Sequence, residues 1–437
     1  METAKVIINT LENNRHQAII VGGYIRDMLL GIESSDVDIA TSATLEEVQD
    51  IFPTCKAGVG ANFNVNIVEG YEVATFRKDI YNSLNDVSVE TVKSFKLDSE
   101  RRDLTINSMG FDPIHSRIID YHGGQKDIEN KLIRFVDVAE LRILEDPVRM
   151  LRACRFAAKL NFRLVPSAFF AIKDNAHLID EVPVERIKNE IMKAMKIEKP
   201  SIFWELLQRT GLLKRIIPEL DDCWYHDGGN YHSEFIHEHL MECGDNLPKD
   251  QPLLRIVGYF HDIGKVEAYD EHSFSFLRHE MMGADITRDI LLRLKFSTDE
   301  INFIIPLILY HMRMLDSSMS DKAMRKNLMK FEKEKINWRD FLRLRISDTK
   351  ANARSQNYKI HEIKTFVQMF NKALNPENVK PAFGKSSLEV NGNDIMKHLE
   401  ISPGAIIGCY LDILLDDVLE DPEVNTKETL LELLEEI

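Results

Sequence analysis

The chain has 437 residues, which is too long for one compact core, so about two to four domains are expected. Its hydrophobic content of 44% and charged content of 29% are typical of a soluble globular protein, and no apolar run approaches the roughly 18 residues of a membrane span. We predict a cytoplasmic protein, because no basic segment precedes an apolar one at the N-terminus and the five cysteines are scattered without a C-x-x-C pair.

The net charge of −16 is unevenly distributed along the chain. From Arg149 to Arg215 there are 14 lysines and arginines against 7 aspartates and glutamates, whereas from Ser386 to the end there are 2 against 13. A basic middle beside an acidic tail would let a polyanion bind one surface only. Solvated helix faces would give the same counts, so charge alone leaves both interpretations open.

The first 135 residues or so alternate apolar runs of strand length with helical patterns, as α/β units do. The segments read, in chain order, as strand and turn (AIIVGGY), helix (YIRDMLLG), strand (DVDIAT), helix (TLEEVQDIF), strand (YEVATFR) and a last strand with a glycine turn (HSRIIDYHGG). Beyond Ile133 the periodicity is helical almost throughout. The sequence therefore predicts an α/β head on a long all-α body.

The strand DVDIAT and the residue before it carry two aspartates on one face. Asp36 and Asp38 are two positions apart, and strand side chains alternate between faces. Two carboxylates so placed repel each other, and a fold keeps them together mainly when a cation lies between them. Mg²⁺ prefers such oxygen ligands and usually takes substrate phosphate oxygens as well, which predicts a phosphoryl-transfer site.

A glycine pair precedes this acidic pair and suits a phosphate. Gly22 and Gly23 end a strand and open a helix, where glycine lets the backbone approach a phosphate and free N–H groups face an anion. Arg26, one turn into that helix, would reach a triphosphate with its forked donors. The combined pattern GG-x-x-RD-x-x-LG…D-x-D is far more specific than either of its parts.

This pattern resembles the head of the polymerase-β-like nucleotidyltransferases, in particular the class II tRNA nucleotidyltransferases and bacterial poly(A) polymerases. The likeness continues in the family's order through ERRDLTINSMGFD, IDYHGGQKDIENKLIRFV, LEDPVRMLRACRFAAKL, VERIKNEIMKAM and the C-terminal segment that begins NGNDIMKHLE. It implies an α/β nucleotidyltransferase head at 1–135 and an all-α remainder. That remainder would consist of a neck and RNA/nucleotide-binding domain at 136–230, an HD-type body at 231–355 and a tail at 356–437.

The segment EDPVRMLRACRF predicts how the protein selects bases. Asp146 and Arg149 are three residues apart, which places them on one face of a helix. A carboxylate accepts hydrogen bonds and a guanidinium donates them. Cytosine and adenine present an amino donor beside a ring-nitrogen acceptor, whereas guanine and uracil present the reverse. The pair would thus accept C and A and leave the other bases with unpaired groups, at about 1–3 kcal/mol for each buried mismatch.

The resemblance implies further nucleotide contacts. Arg152 and Arg155 continue the helical spacing and are implied to hold the triphosphate, and Arg102 of the RRD segment is implied to contact the nucleotide. Asp103 is either another acidic group near the metal ions or a structural cap. Glu72, on a neighbouring strand, is a further candidate near the metals.

The expected reaction is attack of an RNA 3′ hydroxyl on the α-phosphate of CTP or ATP, with two Mg²⁺ held by Asp36 and Asp38 and release of pyrophosphate. The expected product is the CCA end of tRNA, and no protein partner is predicted. The segment NSLNDVSVETVKSFKLDSE has about the length that full CCA-adding members of the family have there, which disfavours an A-only enzyme. It lacks the usual arginine and proline, so CC addition alone stays open.

A second constellation lies in the body. His261 and Asp262, with His239 upstream and Asp348 downstream, resemble the metal site of the HD phosphohydrolases. In the nucleotidyltransferase family that the chain resembles, an HD domain is linked to phosphatase and 2′,3′-cyclic phosphodiesterase activities, which would repair damaged RNA ends. Imidazole and carboxylate together suit a second divalent metal that activates water. Two more histidines, His279 and His311, would be ligands or phosphate contacts, and Lys265 would hold a phosphate.

The alternatives differ in what they predict. A bacterial poly(A) polymerase shares the head motifs, although such enzymes typically carry basic tails and this tail is acidic. An HD phosphohydrolase whose head only binds nucleotide or RNA would release phosphate and incorporate nothing. A non-catalytic RNA-binding protein would have no use for Asp36 and Asp38.

Overall fold

The computed structural model describes residues 1–34, 36–57, 65–83, 86–226, 235–269, 275–313, 321–352 and 384–435. The chain forms two compact units, Met1–Asp221 and Asp222–Ile437. Two residues of the segment NSLNDVSVETVKSFKLDSE, Leu84 and Asn85, lie outside the described residues. Across the part of the chain that is described, no helix has the length and apolar character that crossing a membrane requires.

Among the described residues, the strands all lie in the first unit. They are β1 (Ala18–Val21), β2 (Asp38–Thr41), β3 (Lys56–Ala57), β4 (Val65–Val68), β5 (Tyr71–Thr75), β6 (Arg77–Ser83), β7 (Asp86–Thr91), β8 (Gly110–Asp112), β9 (Arg117–Ile119), β10 (Leu132–Ile133) and β11 (Arg163–Leu164). The main sheet has the order β3-β4-β5-β2-β1-β8-β9, while β6 with β7 and β10 with β11 form separate two-stranded sheets. Within the main sheet β2 and β5 are parallel and the other neighbours are antiparallel.

The sheet is central in the head because its middle strands are apolar on both faces. All four residues of β1 are buried. Its register places Val21 opposite Asp38 in β2, so the glycine turn after β1 and the acidic start of β2 lie at the same edge. Phe76 and Phe95 pack against this sheet with their rings 6.0 Å apart.

The helices of the first unit surround the sheet and then continue alone. They are α1 (Glu2–Asn13), α2 (Gly23–Leu29), α3 (Leu45–Ile51), α4 (Phe95–Glu100), α5 (Gly124–Glu129), α6 (Ala139–Glu145), α7 (Val148–Leu160), α8 (Pro166–Asp174), α9 (Val184–Ala194), α10 (Ser201–Arg209), α11 (Leu212–Ile216) and α12 (Pro218–Asp222). Helix α3 opens with a capping box between Thr44 and Glu47, and α7 ends at Asn161 in a left-handed conformation.

The second unit is helical throughout its described residues. Its helices are α13 (Ile236–Asp245), α14 (Pro252–Phe260), α15 (Lys265–Ala268), α16 (His279–Arg293), α17 (Thr298–Tyr310), α18 (Asp321–Lys333), α19 (Trp338–Ala351), α20 (Gly392–Leu399), α21 (Ala405–Glu420) and α22 (Lys427–Leu433). Helix α17 is apolar and begins with a capping box between Ser297 and Glu300. Leu414 and Val418 on one face of α21 are fully buried in the core of the tail.

The coarse sequence prediction of an α/β head followed by a helical remainder is confirmed. The predicted strands and helices of the head are present at β1, α2, β2, α3, β5 and β9. The sequence analysis did not identify α1, an amphipathic helix whose residues Ile7, Ile8 and Leu11 are buried. Helix α1 packs against β1, β2 and α3, and so closes one side of the sheet.

Candidate active site and a second histidine cluster

The acidic pair lies where β2 begins. Asp36 is exposed and Asp38 is half-buried, and both line one cavity of the head. Burial, together with the negative charges of Asp36 and Glu72, raises the pKa of Asp38 to about 6. Glu72 precedes the Ile39–Val73 pair of β2 and β5, which brings it beside Asp38 as the sequence suggested. Three carboxylates held this close repel one another, so the arrangement suits a divalent cation.

The turn between β1 and α2 requires glycine. Gly22 has φ +80° and ψ −142°, a conformation that residues with a Cβ atom rarely adopt. A Cβ atom at Gly22 would lie 3.5 Å from Oδ2 of Asp38 and 3.9 Å from Nη1 of Arg102. The backbone at this turn therefore lies directly against Asp38 and against Arg102, one of the predicted nucleotide contacts.

Arg26 is held rigidly beneath this turn. Its side chain is 5% exposed, and it donates from Nε and Nη2 to the carboxylate of Asp27 at 2.8 and 2.9 Å and from Nη1 to Oδ1 of Asn107 at 2.7 Å. Its guanidinium lies 5.0 Å from the centre of the Phe156 ring. Arg26 lines the cavity, so it contributes charge there from a fixed position.

Arg102 is fixed by an aspartate that sequence reasoning did not single out. Asp98, on α4, accepts from Nε and Nη2 of Arg102 at 3.2 and 2.9 Å and from Nε of Arg101 at 3.0 Å. It also accepts from the backbone N–H of Arg77 at 3.2 Å. Burial alone would raise the pKa of Asp98, but Arg102 and Arg101 outweigh it and lower that pKa. This carboxylate therefore holds three arginine residues at the cavity wall.

The prediction that Asp146 and Arg149 lie together on one helix is wrong. Asp146 lies between α6 and α7 in an extended conformation, φ −154° and ψ 97°, because the proline that follows disfavours a helical conformation there. Its carboxylate pairs with Arg186 at 2.7 Å. Arg149 instead pairs with Glu145 at 2.6 Å, although both groups line the same cavity.

Helix α7 carries the other two predicted arginines on adjacent turns. Nε of Arg152 lies 2.6 Å from Oδ2 of Asp103, and Nε of Arg155 lies 2.6 Å from Oε2 of Glu190 on α9. Asp103 thus acts as the partner of Arg152. Burial tends to raise the pKa of Asp103, and Arg152 outweighs this and lowers it. The ring of Phe156 lies within 6.0 Å of both guanidinium groups and of Arg26.

Except for Glu72, every residue predicted for the head site lines one cavity of about 710 Å³. The structure also adds wall residues that sequence reasoning did not assign, namely Arg77, Asp79, Tyr81, Arg101, Lys159, Arg186, Asn189, Glu190 and Lys193. Four of them, Arg186, Asn189, Glu190 and Lys193, lie in VERIKNEIMKAM, a segment whose resemblance to the family implied no role for its individual side chains. The cavity is lined by both charge signs, with arginine the commonest residue.

The second unit gathers the seven predicted body residues, Lys265 included, into one largely buried cluster. Nε2 of His239 lies 3.2 Å from Nε2 of His261 and 3.2 Å from Oδ1 of Asp348. Oδ1 of Asp262 lies 3.1 Å from Nε2 of His279 and 3.2 Å from Nε2 of His311. Two groups of possible metal ligands therefore share Asp262, each with its ligand atoms within 4.8 Å of one another.

Three of these histidines are oriented by the backbone in the same way. Nδ1 of His261, His279 and His311 each lies 2.7–2.9 Å from the carbonyl oxygen three residues earlier, on Gly258, Phe276 and Ile308. A carbonyl oxygen only accepts hydrogen bonds, so Nδ1 carries a proton and Nε2 is the ring nitrogen that faces the cluster. This is the orientation that a metal-binding imidazole needs.

The comparisons with known proteins agree with the fold. Three family models match: the poly(A) polymerase head domain (residues 18–134), the probable RNA- and SrmB-binding site of polymerase A (161–223) and the putative tRNA nucleotidyltransferase domain 2 (271–434). A CCA-adding enzyme of Ligilactobacillus salivarius is 29% identical over 434 residues, which covers 98% of this chain and 94% of that one.

Other relatives match over about half of their length. A CCA-adding enzyme of Bacillus licheniformis is 40% identical over 49% of this chain and 55% of its own, and poly(A) polymerase I of Salmonella typhi is 32% identical over 57% of each. Among solved structures, the Bacillus stearothermophilus CCA-adding enzyme in complex with CTP has a TM-score of 0.70 and 25% identity over 100% of this chain and 96% of that one. These matches follow one another in the order of the quoted motifs, and the chain is similar along nearly its whole length to CCA-adding enzymes and over about half of it to a bacterial poly(A) polymerase.

Proposed function

We propose that this protein is a tRNA nucleotidyltransferase that builds or repairs the 3′-terminal CCA of tRNA from CTP and ATP. The observation that carries the proposal is the single cavity in which Asp36 and Asp38 face the arginine-rich wall of α7. Acidic groups suit divalent ions, and a row of arginines suits a triphosphate, so both halves of a nucleotidyl-transfer site are present.

Asp36 and Asp38 would hold two Mg²⁺ ions, which when bound lower the pKa of the attacking hydroxyl and neutralise the charge of the departing pyrophosphate. The raised pKa of Asp38 fits this role, because a divalent ion would relieve the repulsion that Asp36 and Glu72 impose on it. In the reaction, O3′ of the RNA bonds to the α-phosphorus, the bond to the β-phosphate oxygen breaks, and the hydroxyl proton is released to solvent.

The paired arginines keep the triphosphate in line for this attack. Arg152 and Arg155 are fixed by carboxylates on other elements, Asp103 and Glu190, so their guanidinium groups need little ordering when a nucleotide binds. The guanidinium groups of both arginines also lie over the ring of Phe156. A preorganised wall of this kind stabilises developing negative charge without reorganisation.

Base selection would rest on Asp146 and Arg149 as separate wall groups. Four N–H groups of Arg149 donate to Arg142 O, Glu145, Tyr81 and Arg101 O, which leaves Nε–H without a hydrogen bond to any described residue. The carboxylate of Asp146 pairs with the exposed Arg186, a partner that a base can displace at modest cost. One donor and one acceptor then match the pairing edges of cytosine and adenine.

One incorporation experiment tests this proposal against its alternatives. The protein is incubated with tRNA lacking its last three nucleotides, and labelled CTP, ATP, GTP and UTP are supplied separately and together. Addition of two C residues and one A supports CCA synthesis. Long A tails indicate a poly(A) polymerase, and C addition alone indicates a CC-adding enzyme. If no nucleotide is incorporated, the proposal is wrong.

Replacement of Asp146 by Ala isolates the selection step. We expect misincorporation of G and U to rise by about tenfold to a hundredfold, because each buried mismatch that the wild-type wall penalises is worth about 1–3 kcal/mol. Asp174→Ala, at an exposed position of α8, serves as the control. Unchanged selectivity in the Asp146 variant would refute the assignment.

We propose a second activity for the second unit, a metal-dependent phosphohydrolase centre of the HD type. The specific observation is the set of histidines whose Nε2 atoms converge on Asp262 while backbone carbonyls fix their Nδ1 atoms. A divalent metal bound there would activate water for attack on a phosphate ester. Lys265, 2.6 Å from Oδ2 of Asp262, adds a positive charge at the cavity that lies beside the cluster.

Metal content and phosphatase activity test this centre together. His261→Ala with Asp262→Ala should lose bound metal, measured by elemental mass spectrometry, and release of phosphate from p-nitrophenyl phosphate. His237→Ala is the control, because that ring stacks on Trp224 at 4.8 Å and is not part of the cluster. Equal metal content in the double variant and the wild type would contradict the proposal.

A further inference from the structure

Among the cations that line the head cavity, one differs from all the rest in its surroundings. Nine of them are paired with carboxylates: Arg26 with Asp27, Arg77 with Asp79, Arg101 and Arg102 with Asp98, Arg149 with Glu145, Arg152 with Asp103, Arg155 and Lys193 with Glu190, and Arg186 with Asp146. The tenth, Lys159, makes no hydrogen bond or ion pair with any described residue. Its charge is therefore available to a ligand.

Lys159 lies on the same face of α7 as the arginines implied to hold the triphosphate. It follows Arg155 by four residues and Arg152 by seven, which are helical spacings that keep side chains on one face. Its side chain is exposed at the cavity wall, so a long flexible ammonium can reach a bound anion without displacing protein atoms.

The charged neighbours of Lys159 are already paired with each other or with other residues. Arg26 is paired with Asp27, and Arg155 is paired with Glu190. Partial desolvation, the largest cause, and then the charge of Arg26 lower the pKa of Lys159. An anion bound here would compensate the charge of Lys159 itself.

The order of groups along the cavity indicates which part of a nucleotide would reach Lys159. Gly22 lies against Asp38, and the next residue, Gly23, lies against the guanidinium of Arg26. The guanidinium groups of Arg26 and Arg155 lie 5.0 and 4.4 Å from the centre of the same Phe156 ring, and Lys159 is one turn further along α7 than Arg155. The path from the acidic pair, where the α-phosphate reacts, thus leads past Arg26 to Lys159, so this lysine lies toward the far end of a triphosphate.

We propose that Lys159 binds the terminal phosphate of the incoming nucleoside triphosphate and the same group in the pyrophosphate product. The proposal rests on the proposed nucleotidyl transfer for its ligand. It adds a binding residue that contacts neither the base nor the reacting α-phosphate. Such a residue discriminates triphosphates from monophosphates, because only the triphosphate extends to it.

Binding measurements without tRNA test this assignment separately from catalysis. Calorimetric titration with inorganic pyrophosphate, CTP and CMP, all in the presence of Mg²⁺, compares the wild type with Lys159→Met, Lys159→Arg and Lys173→Met. Lys173 is the matched control, since it is an exposed lysine in the last turn of α8 and does not line the cavity.

We expect Lys159→Met to weaken pyrophosphate and CTP by about tenfold, as loss of one charge-assisted contact implies, and to leave CMP unchanged. Lys159→Arg should restore most of the affinity and Lys173→Met should have no effect. Affinities for pyrophosphate and CTP within twofold of the wild type, or equal weakening of CMP and CTP, would overturn the assignment. If the wild type binds CTP but extends no tRNA, the proposed function fails while these binding results still decide the role of Lys159.

Discussion

The Asp98 carboxylate offers the sharpest test of how the head cavity is held together. It is 1% exposed and accepts hydrogen bonds from the side chains of Arg101 and Arg102 and from the backbone N–H of Arg77. Asp98→Asn keeps the shape of the side chain but removes its charge. The side-chain N–H group of the asparagine would then face guanidinium groups, which are also hydrogen-bond donors and cannot accept from it.

The size of the effect follows from burial. Removing one member of a buried ion pair typically costs about 3–5 kcal/mol, because the other charge is left uncompensated. The side chains of Arg101 and Arg102 are 20% and 16% exposed to solvent, so water solvates them in part. We therefore expect Asp98→Asn to lower the free energy of unfolding of the first unit by about 2–4 kcal/mol at pH 7.

The pH dependence has a defined sign. Burial tends to raise the pKa of Asp98, and the two arginines more than reverse this, so the pKa in the folded state is below its usual value. The stabilisation is thus fully present above the unfolded pKa of about 3.9 and is lost as the pH falls through the lower folded value. The difference between wild type and variant should be constant near neutrality and shrink in acid.

Urea unfolding followed by tryptophan fluorescence measures this difference. Trp204 is fully buried and is the one tryptophan among residues 1–221, so the substitutions Trp224→Phe and Trp338→Phe leave a probe of the first unit alone. Asp174→Asn, at an exposed position, is the control. A loss below about 1 kcal/mol, or a difference that grows below pH 4, would refute the reasoning.

Three further outcomes follow from local geometry. Gly22→Ala should slow nucleotide incorporation by at least about tenfold in a single-turnover assay, because its positive φ disfavours a Cβ atom beside the acidic pair; wild-type rates would contradict this. Gly124→Ala should lower the urea midpoint by an amount equivalent to about 1–3 kcal/mol, because the new Cβ atom would lie 2.3 Å from a backbone carbonyl oxygen, and an unchanged midpoint would contradict it. In thiol titration the native protein should react fast at the exposed Cys409 and more slowly at Cys55, while the other three cysteines, which are buried, should react only after unfolding; fast reaction of a third thiol would contradict the burial.

The sequence predicted best what depends on residues close together in the chain. Strand alternation predicted Asp36 and Asp38 on one face, and both line the same cavity although β2 begins only at Asp38. The glycine pair was enough to predict the turn before α2. The same local reasoning was wrong at Asp146, because it extended a helix through a residue that precedes a proline. The proline signal was present in the sequence and indicates an extended residue there.

The partners of the arginines were beyond sequence reasoning for a different reason. Glu190 reaches Arg155 from another helix, 35 residues further along the chain. Such a contact depends on how α7 and α9 pack, and helical spacing alone predicts only neighbours three or four residues away. The sequence therefore predicted correctly that α7 carries a row of arginines. The carboxylates that pair with these arginines were found only in the structure.

The histidine cluster was predicted from the sequence only in part. The order of histidines and aspartates from His239 to Asp348 was enough to predict that they converge, by resemblance to a known pattern. It did not predict which nitrogen faces inward. That is decided where His261 and His311 end their helices, since each Nδ1 there reaches the carbonyl oxygen one turn earlier.

The most direct measurement for the whole account is single-turnover addition of labelled CTP to tRNA lacking its CCA end, with Asp36→Asn and Asp38→Asn combined. The isosteric change keeps the shape of the site and removes the charges that would hold the divalent ions. We expect the rate to fall by about a thousandfold or more, with CTP binding largely retained through the arginines of α7. Incorporation within tenfold of the wild-type rate would show that the chemistry does not depend on this acidic pair.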